Sequence, residues 1–313
     1  MSLNIIYIIT SGDSLHHDNL LANFKSFQSV QIMKGYDIVG DVHGHALLLE
    51  RLLGKLGYET ENNSFHHPLG RKIIFVGDLI NRGPDSVKVL RLIQRMHDQK
   101  QAFCVLGNHE FRLLQQYVKD PYSIEMKFLE FIPWIKTLPF FLEFPEFRVV
   151  HAAWHFSSIE KLKNQNVENE DFIRSTIHPD SEFKNAIKII LQGIKVPIPS
   201  EITYLDRFAI KRKKARIRWW EKNKRMLNGT NIFPACKKLI SAEFENKGEQ
   251  FCEYYSKEEK IVFFGHYCLP EYEPKVINNL VCLDGCVTCN QTLWGYQYHK
   301  REIATSERLV RTN

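Results

Sequence analysis

The 313-residue chain has room for one large layered domain or two ordinary ones, and 44% hydrophobic with 25% charged residues allows a sizeable core and excludes global disorder. A net charge of +6 suits anionic substrates such as phosphate esters, as it suits ordinary surface lysines kept for solubility. No apolar stretch reaches the roughly 20 residues of a membrane span, and Ile5-Ile6-Tyr7-Ile8-Ile9 is too short for a signal core, so a soluble protein is expected.

In chain order, residues 1–34 hold one apolar run, "NIIYIIT", within polar, loop-like sequence. They read as a dispensable N-terminal appendage, with an added edge strand as the alternative. From Tyr36 the pattern turns regular. "YDIV" (36–39) reads as a strand, and 47–56 carries Leu49, Leu52, Leu53 and Leu56 at helical spacing until Gly57 ends it. "KIIFV" (72–76) is a second strand, after which Gly83-Pro84-Asp85 opens a helix with Val89, Leu90, Ile93 and Met96 on one face. "AFCVL" (102–106) and "FRVV" (147–150) are the third and fourth strands. Strands alternating with helices predict βαβ units and a layered α/β fold.

Between about 156 and 258 the strand rhythm fades into sequence rich in Lys, Glu, Asn and Ile, with helical patterns such as 183–194. This segment reads as a mostly helical insertion or cap. Its basic run "KRKKARIRWW" (211–220) reads as a solvated helix face more than a nucleic-acid stripe, because the aromatics follow the charges without interleaving. Strands resume at "IVFF" (261–264), "NLVCL" (279–283) and 292–299, closing a catalytic domain of 35–303 with 304–313 as a C-terminal tail. Seven cysteines, an odd number thinly spread, read as reduced thiols in a cytoplasmic setting. Cys286-Val-Thr-Cys289 has no second pair at zinc spacing.

Five apolar strands end in polar clusters: "GDVHG" (40–44), "GDLINRG" (77–83), "GNHE" (107–110), "HAA" (151–153) and "GH" (265–266). Ligands of α/β sheets bind beyond the carboxyl ends of the strands, so residues far apart in sequence can converge there. Asp41, His43, Asp78, Asn108, His151 and His266 offer the mixed oxygen and nitrogen donors that two divalent ions take, with Asp78 as the natural bridge. Glu110 could support a ligating His or cap the following helix, and His45 could start a helix or support a ligand.

These five motifs in this order resemble the phosphoprotein phosphatase branch of the calcineurin-like metallophosphoesterases, over most of residues 35–300. "HPLGRKIIFVGDLINRGPDSVKVL", "FFGHY" and "RIRWW" are similar to its bacterial members, a group that also resembles the diadenosine tetraphosphatases. The resemblance implies a central β-sandwich flanked by helices. It implies two metal ions, manganese first, then iron, zinc or nickel, with Asp41, His43 and Asp78 on one and Asp78, Asn108, His151 and His266 on the other. It also implies direct attack on phosphorus by a metal-held hydroxide. Arg82 matches the phosphate-gripping arginine and His109 the imidazole beside the leaving oxygen. Arg216 or Arg218 is the candidate for a second arginine, and Tyr267 for lining the site. Where that family commonly has Asp, this chain has Asn81, which cannot charge and orient His109 in the same way. The expected function is a serine/threonine protein phosphatase. The alternatives are a dinucleoside polyphosphate (diadenosine tetraphosphate) hydrolase and a weakly catalytic phosphate- or nucleic-acid-binding module. Expected partners are a phosphoprotein or a small phosphate ester, with no membrane.

Overall fold

Three parallel strands, β1 (Tyr36–Val39), β2 (Lys72–Phe75) and β3 (Ala102–Cys104), lie side by side in register, Val39 beside Phe75 and Phe75 beside Cys104. They belong to a computed structural model that describes residues 35–201, 204–205, 210–221, 226–228, 230–233, 244–245, 255–271, 275–300 and 302–313. The expectations for residues 1–34 lie outside these. Helices α1 (Ala46–Lys55) and α2 (Ser86–Asp98) follow β1 and β2, and α3 (Asn108–Lys119) follows β3. Asp85 caps α2 by accepting from the Lys88 amide at 2.9 Å.

A second sheet is assembled from β4 (Phe141–Glu143), β5 (Phe147–Val150), β9 (Ile261–Phe264), β10 (Val276–Ile277) and β11 (Leu280–Cys282), in the order β10-β11-β9-β5-β4. Its three central strands, β11, β9 and β5, are parallel. The strands numbered between these belong to the intervening segment. There the helices α4 (Phe156–Leu162), α5 (Glu170–Ile177) and α6 (Lys184–Gln192) match expectation. The described residues beyond them do not. β6 (Lys195–Pro197), β7 (Lys214–Ile217) and β8 (Ile232–Phe233) form a small antiparallel sheet, so the basic run is partly a strand that buries Ala215 and Ile217.

β12 (Trp294–Tyr298) pairs antiparallel with β1, and β13 (Leu309–Arg311) with β12. The first sheet therefore runs β13-β12-β1-β2-β3. The expected C-terminal tail is thus an edge strand, held further by the Leu293 amide donating to Thr312 Oγ1 at 3.0 Å.

Ile38 and Ile74 of one sheet share a core with Val149, Ile261 and Phe263 of the other, and Phe263 meets Tyr296 at 5.1 Å between ring centroids. The opposite strand faces, among them Val39, Phe75, Val150 and Phe264, join the outer core with helix residues such as Leu52 and Ile93. With both faces covered, a strand needs apolar side chains in succession. "KIIFV" and "IVFF" read as unbroken runs for that reason. The fold is the expected layered α/β sandwich flanked by helices. Among the described residues no helix is long and apolar enough to cross a membrane.

Candidate metal centre

The strand registers carry the motifs to one edge. Asp41, Asp78 and Asn108 lie just past the carboxyl ends of β1, β2 and β3. In the second sheet, His151 follows β5 directly, and the Gly265 amide donates to His151 O at 2.8 Å, setting His266 beside it. The two sheets deliver their donors to a common point. His43 Nε2, His109 Nε2 and His151 Nε2 stand 3.6, 3.9 and 3.4 Å from the Asp78 carboxylate. Two groups able to hold a metal share that carboxylate, His43–Asp78–His109 and Asp78–His151–His266, with ligand atoms within 4.8 Å of one another. Asn108 Oδ1 lies 3.3 Å from His151 Nε2, and Asp41 lies 4.0 Å from His43 Nε2.

The rings are aimed by their far nitrogens. His43 Nδ1 bonds Ile80 O at 3.1 Å and His151 Nδ1 bonds Val76 O at 2.8 Å. Those carbonyls fix the proton on Nδ1 and turn each Nε2 lone pair into the cluster, as ligating histidines require. Asp41 accepts from the His266 amide at 3.1 Å. Glu110 is fully buried and accepts from the amides of Gly107, Asp78, Leu79 and Ile80 at 2.9–3.2 Å. It both caps α3 and pins the Asp78 loop, without touching a ligating imidazole. His45 is the cap position of α1 and makes no side-chain cap bond. Space is tight here: a Cβ on Gly107 would overlap the Asp78 backbone, and one on Gly265 the Asp41 carboxylate. His43, Asp78, Asn81, Arg82 and His266 all adopt positive φ, an uncommon state for residues with a Cβ and one concentrated at functional sites.

The donor set fits divalent cations. Burial, then the nearby Asp284 charge, pushes the Asp41 carboxyl well above its usual range. Burial opposes ionisation of Asp78 too, yet His151, His43 and His109 together hold its pKa well below normal. Despite burial, Asp78 pushes His151 up to about 10. Carboxylates and imidazoles crowded out of water borrow protons from one another when no cation serves them. Two cations would relieve that crowding.

Around this cluster, Asn81 and Arg82 lie exposed at the mouth. Arg82 Nη1 is 3.3 Å from His43 Nε2, and Asn81 Nδ2 is 2.8 Å from His109 Nδ1. Arg216 Nη1 donates to His266 O at 2.8 Å, which brings it to the centre's edge. Arg218 instead has Glu221 at 3.8 Å and Trp220 beneath it. Tyr267 is fully buried, its hydroxyl donating to Ile217 O at 3.2 Å and its ring under Arg216, so it supports that arginine and does not line the site. Trp219 and Trp220 are buried against Phe264 and are core residues, not a lid.

One strand-end residue escaped the sequence reading. Asp284 follows β11 as His266 follows β9, the register pairing Phe264 with Cys282. Its carboxylate accepts from the amides of Cys268 and Cys286 at 2.6 and 2.8 Å, tying the His266 loop to its neighbour. The pattern "LVCLDG" carried the signal, an apolar strand ending in Asp-Gly. The same two loops are joined by a Cys268–Cys286 disulfide, contrary to the expectation that every thiol is reduced. Parallel neighbours bring these cysteines to a Cα separation of 4.2 Å although they stand 18 positions apart in sequence.

A family model described as calcineurin-like phosphoesterase matches residues 36–270. An asymmetrical bis(5'-nucleosyl)-tetraphosphatase PrpE of Oceanobacillus iheyensis is 28% identical over 281 residues, 86% of this chain and 90% of its own. A protein of the same name from Halalkalibacterium halodurans is 51% identical over 74 residues, 24% of this chain and 30% of its own. Among solved structures, a cold-active protein-tyrosine phosphatase of a Shewanella species is similar over 89% of this chain and 77% of its own, at 13% identity and a TM-score of 0.49.

Proposed function

The chain belongs to the calcineurin-like phosphoesterases and is a metallophosphoesterase, and on that premise we propose that it hydrolyses dinucleoside polyphosphates. The reading departs from the protein phosphatase first expected. The observation that carries it is the 2.8 Å contact of Asn81 with His109. An amide can present either its NH2 or its C=O to the ring, so unlike a carboxylate it does not favour the imidazolium. Burial, with the charges of His43, Arg82 and His151, lowers the His109 pKa to about 4 although Asp78 opposes this. A neutral His109 is a modest acid. The alkoxide of a phosphoserine needs a strong one, whereas a nucleoside polyphosphate leaves from an anhydride as a stable anion. The name of the relative aligned over nearly its full length points the same way.

In this reading Asp41, His43, Asp78, Asn108, His151 and His266 would hold two divalent ions, manganese first, Asp78 being the donor common to both groups. When bound, such ions lower the pKa of water and neutralise phosphoryl oxygens. Arg82 and Arg216 grip the phosphoryl oxygens with charge-assisted hydrogen bonds. His109 directs its Nε2–H at the departing oxygen, and Asn81 keeps that ring in place. A second reading, a protein phosphatase, is favoured by the exposed position of Asn81 and Arg82, which a bulky phosphoprotein could reach. The test is kcat/KM of the manganese-loaded chain on diadenosine tetraphosphate and on a phosphoserine peptide. The dinucleotide should be preferred by at least about tenfold, some 1.4 kcal/mol of transition-state binding. A preference for the peptide would overturn the assignment.

A further inference from the structure

α3 leaves the metal centre at Asn108, and α6 ends at Gln192, close to Lys195. Residues of the two helices line a cavity of about 390 Å³. Arg112 and Lys119 of α3 and Lys184 and Lys188 of α6 border it, and no Asp or Glu does. Arg112, Lys119 and Lys188 have no carboxylate partner among the described residues.

Lining residues of the cavity lead toward the chemistry at two points. A second cavity of about 390 Å³, lined by Asn81, His109 and one carboxylate, Glu125, shares Arg112 and Gln116 with the first, so these two residues stand between the groove and the leaving-group side. At the other point Gln192 accepts from Lys195 Nζ at 2.8 Å, and Lys195 sits directly across the β6–β7 pair from Arg216, which reaches His266 O. Like charges opposed on paired strands are destabilising. An anion lying against both would offset that cost. From His109 to Lys119, α3 spans about 15 Å, long enough for an extended triphosphate and its ribose. Ile177, an exposed large apolar side chain, and Ile187 give a base an apolar surface within the same cavity.

We propose that this α3–α6 groove is the subsite for the leaving half of the substrate, a nucleoside polyphosphate. Arg112 and Lys188 face its nearer phosphates, and Lys119 and Lys184 lie at the far end toward the nucleoside. The inference rests on the dinucleoside polyphosphate reading, since an aryl phosphate or a phosphoserine carries no such chain. A nucleoside triphosphate then binds through both the metal centre and the groove, and a nucleoside monophosphate through the metal centre alone.

The test is calorimetry on the full, manganese-loaded chain with a non-hydrolysable ATP analogue and with AMP. Wild type should bind the ATP analogue roughly tenfold or more tightly than AMP, as a few exposed charge contacts would give. Lys119→Glu with Lys188→Glu should erase that difference, while Lys119→Arg with Lys188→Arg keeps it, and melting temperatures report that each variant is folded. Equal affinities in wild type, or an undiminished difference in the charge-reversed variant, would overturn the groove assignment. Turnover of diadenosine tetraphosphate is scored separately, and its absence would count against the substrate reading without deciding where a triphosphate binds.

Discussion

Asp78 has three imidazoles within 4 Å and a backbone held by the Glu110 carboxylate. About three turns further along α3, Lys119 has no carboxylate facing it across its groove. In the centre nearly every polar group is already committed, by carbonyls behind the rings, amides around Glu110 and the clamp at Asp284. Little can move there, and geometry is kept whatever substrate arrives. In the groove Arg112, Lys119 and Lys188 have no carboxylate partner among the described residues, and in the proposed role they take their counter-charges from a ligand. The contrast separates what performs the chemistry from what selects the molecule. Changes in the centre should affect all substrates alike, and changes in the groove only those long enough to fill it.

The largest effect is expected at the centre itself. His151→Ala removes a buried ligand and should lower kcat on every phosphoester by roughly 10³-fold or more, the several kcal/mol that metal catalysis supplies. A loss confined to one substrate would break the contrast. Asp284→Ala should be milder. Releasing the His266 loop should weaken metal affinity about 10–100-fold, the usual range for groups that orient ligands. Titrating manganese into metal-free protein checks it, and an unchanged affinity would reduce Asp284 to a loop clamp alone.

Much of the centre was legible because each candidate ligand comes shortly after the end of an apolar strand, His151 directly after Val150 and the others within the next short turn. "GDVHG", "GDLINRG" and "GNHE" pack several donors into a few residues, and the run before each is apolar enough to read as a strand. Asp284 uses the same grammar, but one carboxylate in "LDGC" has no neighbouring donor to draw attention to it. β7 was hidden for a different reason. Its four residues, Lys-Ala-Arg-Ile, do alternate polar and buried side chains, but so short an alternation inside a basic run is outweighed by the surrounding charge, and the strand is held by β6 and β8 rather than by its own propensity. β13 is three residues long, too short for any period. The disulfide depends on which loops become neighbours, and cysteine spacing does not reveal pairing. The groove was the least visible. Lys119, Lys184 and Lys188 read singly as solubility charges, and only the placement of α3 near α6 gathers them.

Asn81 marks the border between the two regions, and its replacement sharpens the contrast. Asn81→Asp should raise kcat on a phosphoserine peptide roughly tenfold, toward the range that general acids contribute. It should change turnover of p-nitrophenyl phosphate little, because a phenolate leaves unaided. With His109→Asn in the background, the gain should vanish. A gain that persists without His109 would mean the carboxylate acts elsewhere.

The smallest signal comes from protons. His151, with its pKa pushed up to about 10, is protonated at pH 8 in the metal-free protein and must become neutral to ligate. Metal binding should therefore release protons, and affinity should fall as pH falls. Calorimetry of manganese binding in two buffers of different protonation enthalpy counts them. Proton uptake, or none exchanged, would contradict the ligand role of His151.

The central claim, that one carboxylate joins two ion sites, is tested most directly by metal content. Purified wild-type protein reconstituted with manganese should carry two ions per chain, and Asp78→Asn, folded by its melting temperature, should carry close to none because the shared ligand has lost its charge. Asp78→Asn that retains both ions would contradict the account, and one ion retained at full occupancy would show two independent sites where a bridged pair is claimed.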